Sequence, residues 1–332
     1  MKKVLSIIVP VYNVEKYIEQ CLDSFVVKAI LEKLEVLVID DATPDKSAEI
    51  ARRYVDKYPN TFRVISKENG GHGSAINAGI KEATGNYFKV VDGDDWVDGK
   101  ALYNLITFLE NQTCDLVCSN YCWVKEDTGK SVLDMKEPFK GVEYGKVYSF
   151  DGVAEKTFLK MHNITIRTEI LKKYCKPITE KCFYVDCEYI LYPIPYVHSV
   201  AFLNDVLYMY RIGRAEQSVN IRKMRERCGQ HERILNNLLE FYGEHKANVS
   251  KETADYLAKG VMKMFVSQIK IYLSYKPEKN YKDKIIELEK SVLKEFPEIY
   301  YMVRNKAVLL LRASGYHLYT AGSIVFRLTH PS

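Results

Sequence analysis

The 332-residue chain lacks most features that assign a function at a glance. It has no CxxC pair, and although Cys114, Cys118 and Cys122 fall at steps of four, no His or Cys cluster completes a zinc site. Its eight scattered cysteines are expected to be free, mostly buried thiols in a reducing compartment. It has no apolar run near the roughly 20 residues needed to span a bilayer. The apolar start, Val4 to Val9, is too short for a signal peptide, and Pro10 stops it. A cytoplasmic protein without a spanning helix is the expectation. Net charge is also small: +5, too little to indicate nucleic-acid binding, and none is expected. There is no Walker loop and no G-x-G-x-x-G. Only two Trp stand against 25 Tyr, a bias with no evident physical reason.

What charge there is lies unevenly. Residues 1–110 are net −3, residues 111–220 neutral and residues 221–332 net +8. A negatively charged partner is therefore expected for the last third alone. Length suggests about two domains. We divide the chain at 220, into a catalytic part (1–110 and 111–220) and a helical basic region, 221–332.

The first hundred residues alternate strand and helix. Val4–Val9, Glu35–Ile39, Phe62–Ser66 and Tyr87–Val91 read as buried strands. Val14–Val27, Asp45–Tyr58 and Ser74–Ala83 read as the helices between them. This order predicts an α/β fold with a mostly parallel sheet flanked by helices. Asp115–Tyr121 is a further strand, Val197–Tyr210 one or two more, and residues 125–150 are loop-rich. Apolar spacing turns helical in 231–242, 254–273 and 283–296.

Ligands of such sheets bind beyond the carboxyl ends of the strands, and three polar clusters sit there. Pro10, Tyr12 and Asn13 follow the first strand, Asp40 and Asp41 the second, and Asp92-Gly93-Asp94-Asp95 the fourth. Adjacent carboxylates repel unless a cation binds them, and such oxygens suit Mg2+ or Mn2+ beside a phosphate. Asp41 reads as functional, Asp45 as a helix cap. The turn Asn69-Gly70-Gly71-His72-Gly73-Ser74 leads into a helix, so its amides are candidates for a phosphate, with His72 read as a surface residue.

The series P-x-Y-N, D-D-x-(S/T)-x-D, N-G-G-x-(G/S)-x-A-x-N-x-G and D-x-D-D resembles the family-2 glycosyltransferases of GT-A fold, over residues 4–110. The resemblance implies a metal-dependent, inverting transferase acting with a nucleotide sugar, usually a UDP-sugar, in bacterial polysaccharide synthesis. It implies that Pro10, Tyr12, Asn13, Asp41, Asn69, Gly70, Gly71, Asp92 and Asp94 serve the donor nucleotide. Asp94 and Asp95 would hold Mn2+ or Mg2+. Ile76 departs from the pattern, standing where many relatives have Arg, so Arg211 and Arg214 are candidates for the diphosphate. The segment Phe183–Tyr189 is similar to the family's E-D segment, which makes Asp186 the catalytic base and Glu188 the fallback. Two acids two residues apart cannot both face one substrate. His162, Glu188 and Trp96 are acceptor candidates. The acceptor is expected to be a saccharide, free or lipid-linked. The last segment, Lys306 to Arg327, is a candidate for peripheral contact with an anionic membrane. Two rivals stay open: a nucleotidyltransferase, though no Gly-rich Lys/Arg loop lies near the start, and an inactive nucleotide-sugar-binding relative.

Overall fold

The computed structural model describes residues 2–133, 139–213 and 221–329. The chain divides into two compact units, residues 1–214 and 215–332.

The first unit is built on ten strands: β1 (Leu5–Val11), β2 (Leu34–Asp40), β3 (Phe62–Ser66), β4 (Tyr87–Val90), β5 (Trp96–Val97), β6 (Leu116–Lys125), β7 (Ser131–Leu133), β8 (Val147–Ser149), β9 (Ile164–Arg167) and β10 (Ser199–Ile212). They form one sheet in the order β3-β2-β1-β4-β9-β6-β10-β5, with β7 on β6 and β8 on β10. The expected α/β fold is present. β3, β2, β1 and β4 are parallel neighbours, so the carboxyl ends of β1, β2 and β4 open on one edge. Every residue of β2 is buried, as its continuous apolar run predicts.

Three local differences have physical reasons. The helix expected over Val14–Val27 is only Ile18–Asp23. Ahead of it Asn13 takes φ 61°, outside the right-handed helical region, and the amides of Asn13, Val14 and Glu15 donate to Thr43, Ser47 and Asp45. The helix expected from Ser74 begins at Gly71, because the carboxylate of Asp41 accepts the amides of Gly70 and Gly71. β9, absent from the expected elements, enters antiparallel between β4 and β6. Its four residues are too few to show a period in sequence.

The second unit is helical: Ile221–Glu226, Cys228–His245, Lys251–Leu273, Lys279–Glu295, Pro297–Met302, Lys306–Ala313 and Tyr319–Thr329. Its helices bury Leu235, Leu238, Phe265 and Ile269. Ser250 and Asn305 cap their helices by accepting amides three residues on. No described helix is long and apolar enough to cross a membrane.

Candidate active site

The acidic turn after β4 lies against the far end of β10. Asp95 is buried; its carboxylate accepts the Tyr208 hydroxyl at 2.7 Å and the Arg211 amide at 2.8 Å. The Asp92 amide in turn donates to the Tyr208 oxygen at 3.2 Å. Tyr208 therefore ties together both ends of the turn. Burial pushes the Asp95 carboxyl well above the usual range, and the charges of Asp94 and Asp92 add to the rise.

Ligand atoms of Asp92, Asp95 and His162 all lie within 4.8 Å of one another. His162 precedes β9, and its ring stacks on Tyr210 with centroids 4.4 Å apart. His162, an expected acceptor candidate, thus stands beside the acidic turn. The group differs from the expected Asp94–Asp95 pair. Asp94 lies beside it, half-buried, with its carbonyl accepting from Arg211 Nε at 2.9 Å.

Arg211 is held more tightly than a mobile diphosphate clamp would be. Its guanidinium also donates to Gln20 at 2.7 Å and lies 4.7 Å from the ring centres of both Tyr17 and Trp96. Trp96 accordingly packs on the Arg211 guanidinium. Arg214 lies outside the described residues. Ile76 is fully buried, so its side chain does not face a donor.

Two residues that drew little notice in sequence prove central. His72 Nε2 is 2.8 Å from Asp92 Oδ1. Burial alone would lower its pKa, but Asp92, and then Asp186 and Asp94, outweigh burial and raise it. Lys89, inside β4, is fully buried and donates to the carbonyls of His162 and Ile164 at 2.8 and 3.2 Å. It fastens the entry to β9 and so places His162. Desolvation lowers its pKa to about 7. A lysine within the apolar run Tyr87–Val91 was the only sequence signal for it.

The two candidate bases separate cleanly. Helix Asp186–Leu191 turns 100° per residue, so its first and third residues face apart. The Asp186 side chain is exposed, yet enough protein surrounds it that desolvation raises its pKa; the His72 charge opposes part of that rise. Glu188 is fully buried and accepts Thr179 N–H, Thr179 Oγ1 and Tyr192 OH at 2.8, 2.8 and 2.9 Å. Its side chain therefore faces the interior, where it holds Thr179 and Tyr192.

On the other side of the edge, Asp41 is buried and its carboxylate takes Lys67 Nζ at 2.8 Å, Gly70 N at 2.9 Å and Gly71 N at 2.7 Å. Those two glycine amides therefore face Asp41, not a phosphate. Asn69 is exposed, its amide donating to the Asp41 carbonyl. Pro10, next to last in β1, is half-buried, Tyr12 is exposed, and Asn13 adopts φ 61°, which turns the chain sharply. Asp45 accepts the Ser47 amide before helix Ser47–Lys57, as a cap does; burial would raise its pKa, but its hydrogen bonds from Ser47, Thr43 and Glu15 lower it.

The glycine turn also carries the Asp186 loop. Asn77 exchanges two hydrogen bonds with the Ile178 backbone, and Lys181 donates to the Gly70 carbonyl. A Cβ on Gly73 would lie 2.2 Å from the Thr179 carbonyl oxygen. Gly73→Ala is therefore expected to destabilise the protein by about 2 kcal/mol through overpacking, measured as a fall in denaturant midpoint.

The carboxylate turn thus ends a parallel strand, with His72 between it and Asp186. Residues 6–182, more than half of the chain, match Glycosyl transferase family 2. The chain belongs to that family. EpsJ of Bacillus subtilis (strain 168), named an uncharacterized glycosyltransferase, is 44% identical over 122 residues, 36% of this chain and 35% of EpsJ. EpsH of the same organism, a putative glycosyltransferase, is 28% identical over 221 residues, 63% of this chain and 60% of EpsH. The matched stretch thus spans between a third and three fifths of these relatives. Among solved structures, S. aureus TarS 1–349 in complex with UDP-GlcNAc superposes with TM-score 0.68 at 21% identity, covering 98% of this chain and 92% of that one. The curated S. aureus (strain Mu50 / ATCC 700699) TarS is named a poly(ribitol-phosphate) beta-N-acetylglucosaminyltransferase. The likeness confirms the GT-A fold, a mixed, mostly parallel sheet with a helical C-terminal region.

Proposed function

We propose that this family-2 member transfers a sugar from a nucleoside diphosphate sugar, a UDP-sugar first of all, to an acceptor hydroxyl with inversion. The acceptor is a saccharide or a lipid-linked saccharide of a cell-surface polymer, met at the cytoplasmic face of the membrane. The observation that carries the reading is the crowding of Asp92, Asp94 and Asp95 at the edge where Asp186 also stands. Asp186 is exposed and near enough to His72 for their charges to interact.

The two carboxylates suit Mn2+ or Mg2+, the imidazole beside them favours Mn2+ over all-oxygen Mg2+, and Asp92, Asp95 and His162 are the residues that would hold the ion. Bound there, the ion would supply positive charge to the leaving diphosphate. The remaining roles fall to the chain. Tyr12 offers an exposed ring for the base, and Asp41 holds the glycine turn beside it. Asp186 removes the proton from the acceptor hydroxyl as that oxygen attacks the anomeric carbon. Attack from the side opposite the leaving group inverts the centre.

The test uses a panel of nucleotide sugars with Mn2+ and reads the nucleotide released. Release of nucleoside diphosphate is expected. Release of pyrophosphate favours nucleotidyl transfer, and no turnover of any sugar nucleotide overturns the reading. Chelator is expected to lower turnover at least 100-fold, with recovery on adding Mn2+ back.

A further inference from the structure

The last two helices of the second unit carry their apolar residues on the wrong side for a soluble surface. In Lys306–Ala313, Val308 and Leu311 are buried while Lys306, Leu309, Leu310 and Ala313, spaced i, i+3, i+4 and i+7, face solvent. In Tyr319–Thr329, Tyr319 and Ser323 are buried, whereas Ala321, Ile324, Val325 and Leu328 form an outward stripe at the same spacing. Leu310, Val325 and Leu328 are 58%, 59% and 76% exposed, and Leu309, Leu318 and Ile324 are exposed as well. Clustered apolar exposure of this kind marks an interaction surface.

The charge around it has one sign. Residues 299–332 contain no Asp or Glu and four Lys or Arg. Arg312 serves the interior, paired with buried Glu289 at 2.8 Å. Arg304, Lys306 and Arg327 are exposed. Arg327 also lines a cavity of about 420 Å³ with Arg222, Arg225, Glu226, Tyr275 and Lys276. Four cations there outnumber one carboxylate, and the cavity opens beside the apolar stripe because Arg327 belongs to the same helix. The helix is anchored where it needs to be, by Ser323 Oγ donating to the Tyr275 carbonyl at 2.9 Å.

We propose that these two helices dock on an anionic membrane leaflet, Leu309, Leu310, Ile324, Val325 and Leu328 entering the acyl boundary and the Arg327 cavity taking a lipid phosphate. Apolar side chains flanked by cations are what such a surface binds. A second copy of this chain fits less well, since a two-fold contact would set this net-basic face against itself. The inference adds a partner to the proposed function and is read without any sugar transfer, so either can fail alone.

The experiment is vesicle flotation of the full chain. Binding is expected to vesicles of phosphatidylcholine with 30% phosphatidylglycerol, not to phosphatidylcholine alone, and to weaken as salt rises. The triple variant Ile324→Ser, Val325→Ser, Leu328→Ser changes only exposed positions and should keep its Tm and donor turnover while binding at least tenfold less. Arg327→Glu should bind at least fivefold less. Failure of the native chain to bind at low salt, or equal binding by the triple variant, overturns the proposal. So does a native oligomer in light scattering that the triple variant dissolves, which would assign the face to a second copy. Inorganic phosphate that displaces the protein beyond chloride of equal ionic strength would assign the cavity to free phosphate instead.

Discussion

Asp186→Asn is expected to lower turnover about 1000-fold, the loss typical of a missing general base, while the KM for the nucleotide sugar stays within about threefold. Asn keeps the shape of the side chain but cannot take a proton. Asp186 is exposed, so Tm should not move. The native enzyme adds a pH signature. Desolvation raises the Asp186 pKa, and the positive charge of His72 only partly opposes it. The deprotonated base is therefore lost as pH falls through a value above the ordinary aspartate range. The acidic limb of kcat should lie above that range and be missing from whatever activity the Asn variant retains. Near-normal turnover in the variant would reject Asp186 as the base.

Glu188→Ala, two residues on, should behave in the opposite way. The side chain is fully buried and accepts three hydrogen bonds that hold Thr179 and Tyr192. Removing it leaves buried donors without an acceptor, at a cost of about 3 kcal/mol. In a protein of this size, that corresponds to a Tm decrease of about 4 °C. Turnover should also fall, because Glu188 shares a helix with Asp186 and tethers the loop that packs on Gly73. Donor binding should survive in the folded fraction. If the variant keeps its Tm, the buried role assigned to Glu188 is wrong.

These neighbours show how far sequence reading reaches. Their spacing alone established that only one acid could face a substrate, since residues two apart on a helix diverge. Which one does so depended on Thr179 and Tyr192, which accept no assignment from local pattern. The same holds at Asp41. Its place after a buried strand marked it as important, but the amides that reach it belong to Gly70 and Gly71, nearly thirty residues on. Arg211 was legible as a cation near the site; its fixed seat between Tyr17 and Trp96 was not.

The sequence by itself determined the buried strands, the sheet edge they create and the carboxylates gathered there, because these follow from apolar runs and local turns. The tertiary structure alone decided that His72 meets Asp92, that buried Lys89 positions His162 through backbone carbonyls, and that the last helices turn their apolar stripes outward. Each of those outcomes depends on which distant segment packs where. Periodicity reports that a face is apolar, but only packing determines whether that face is covered.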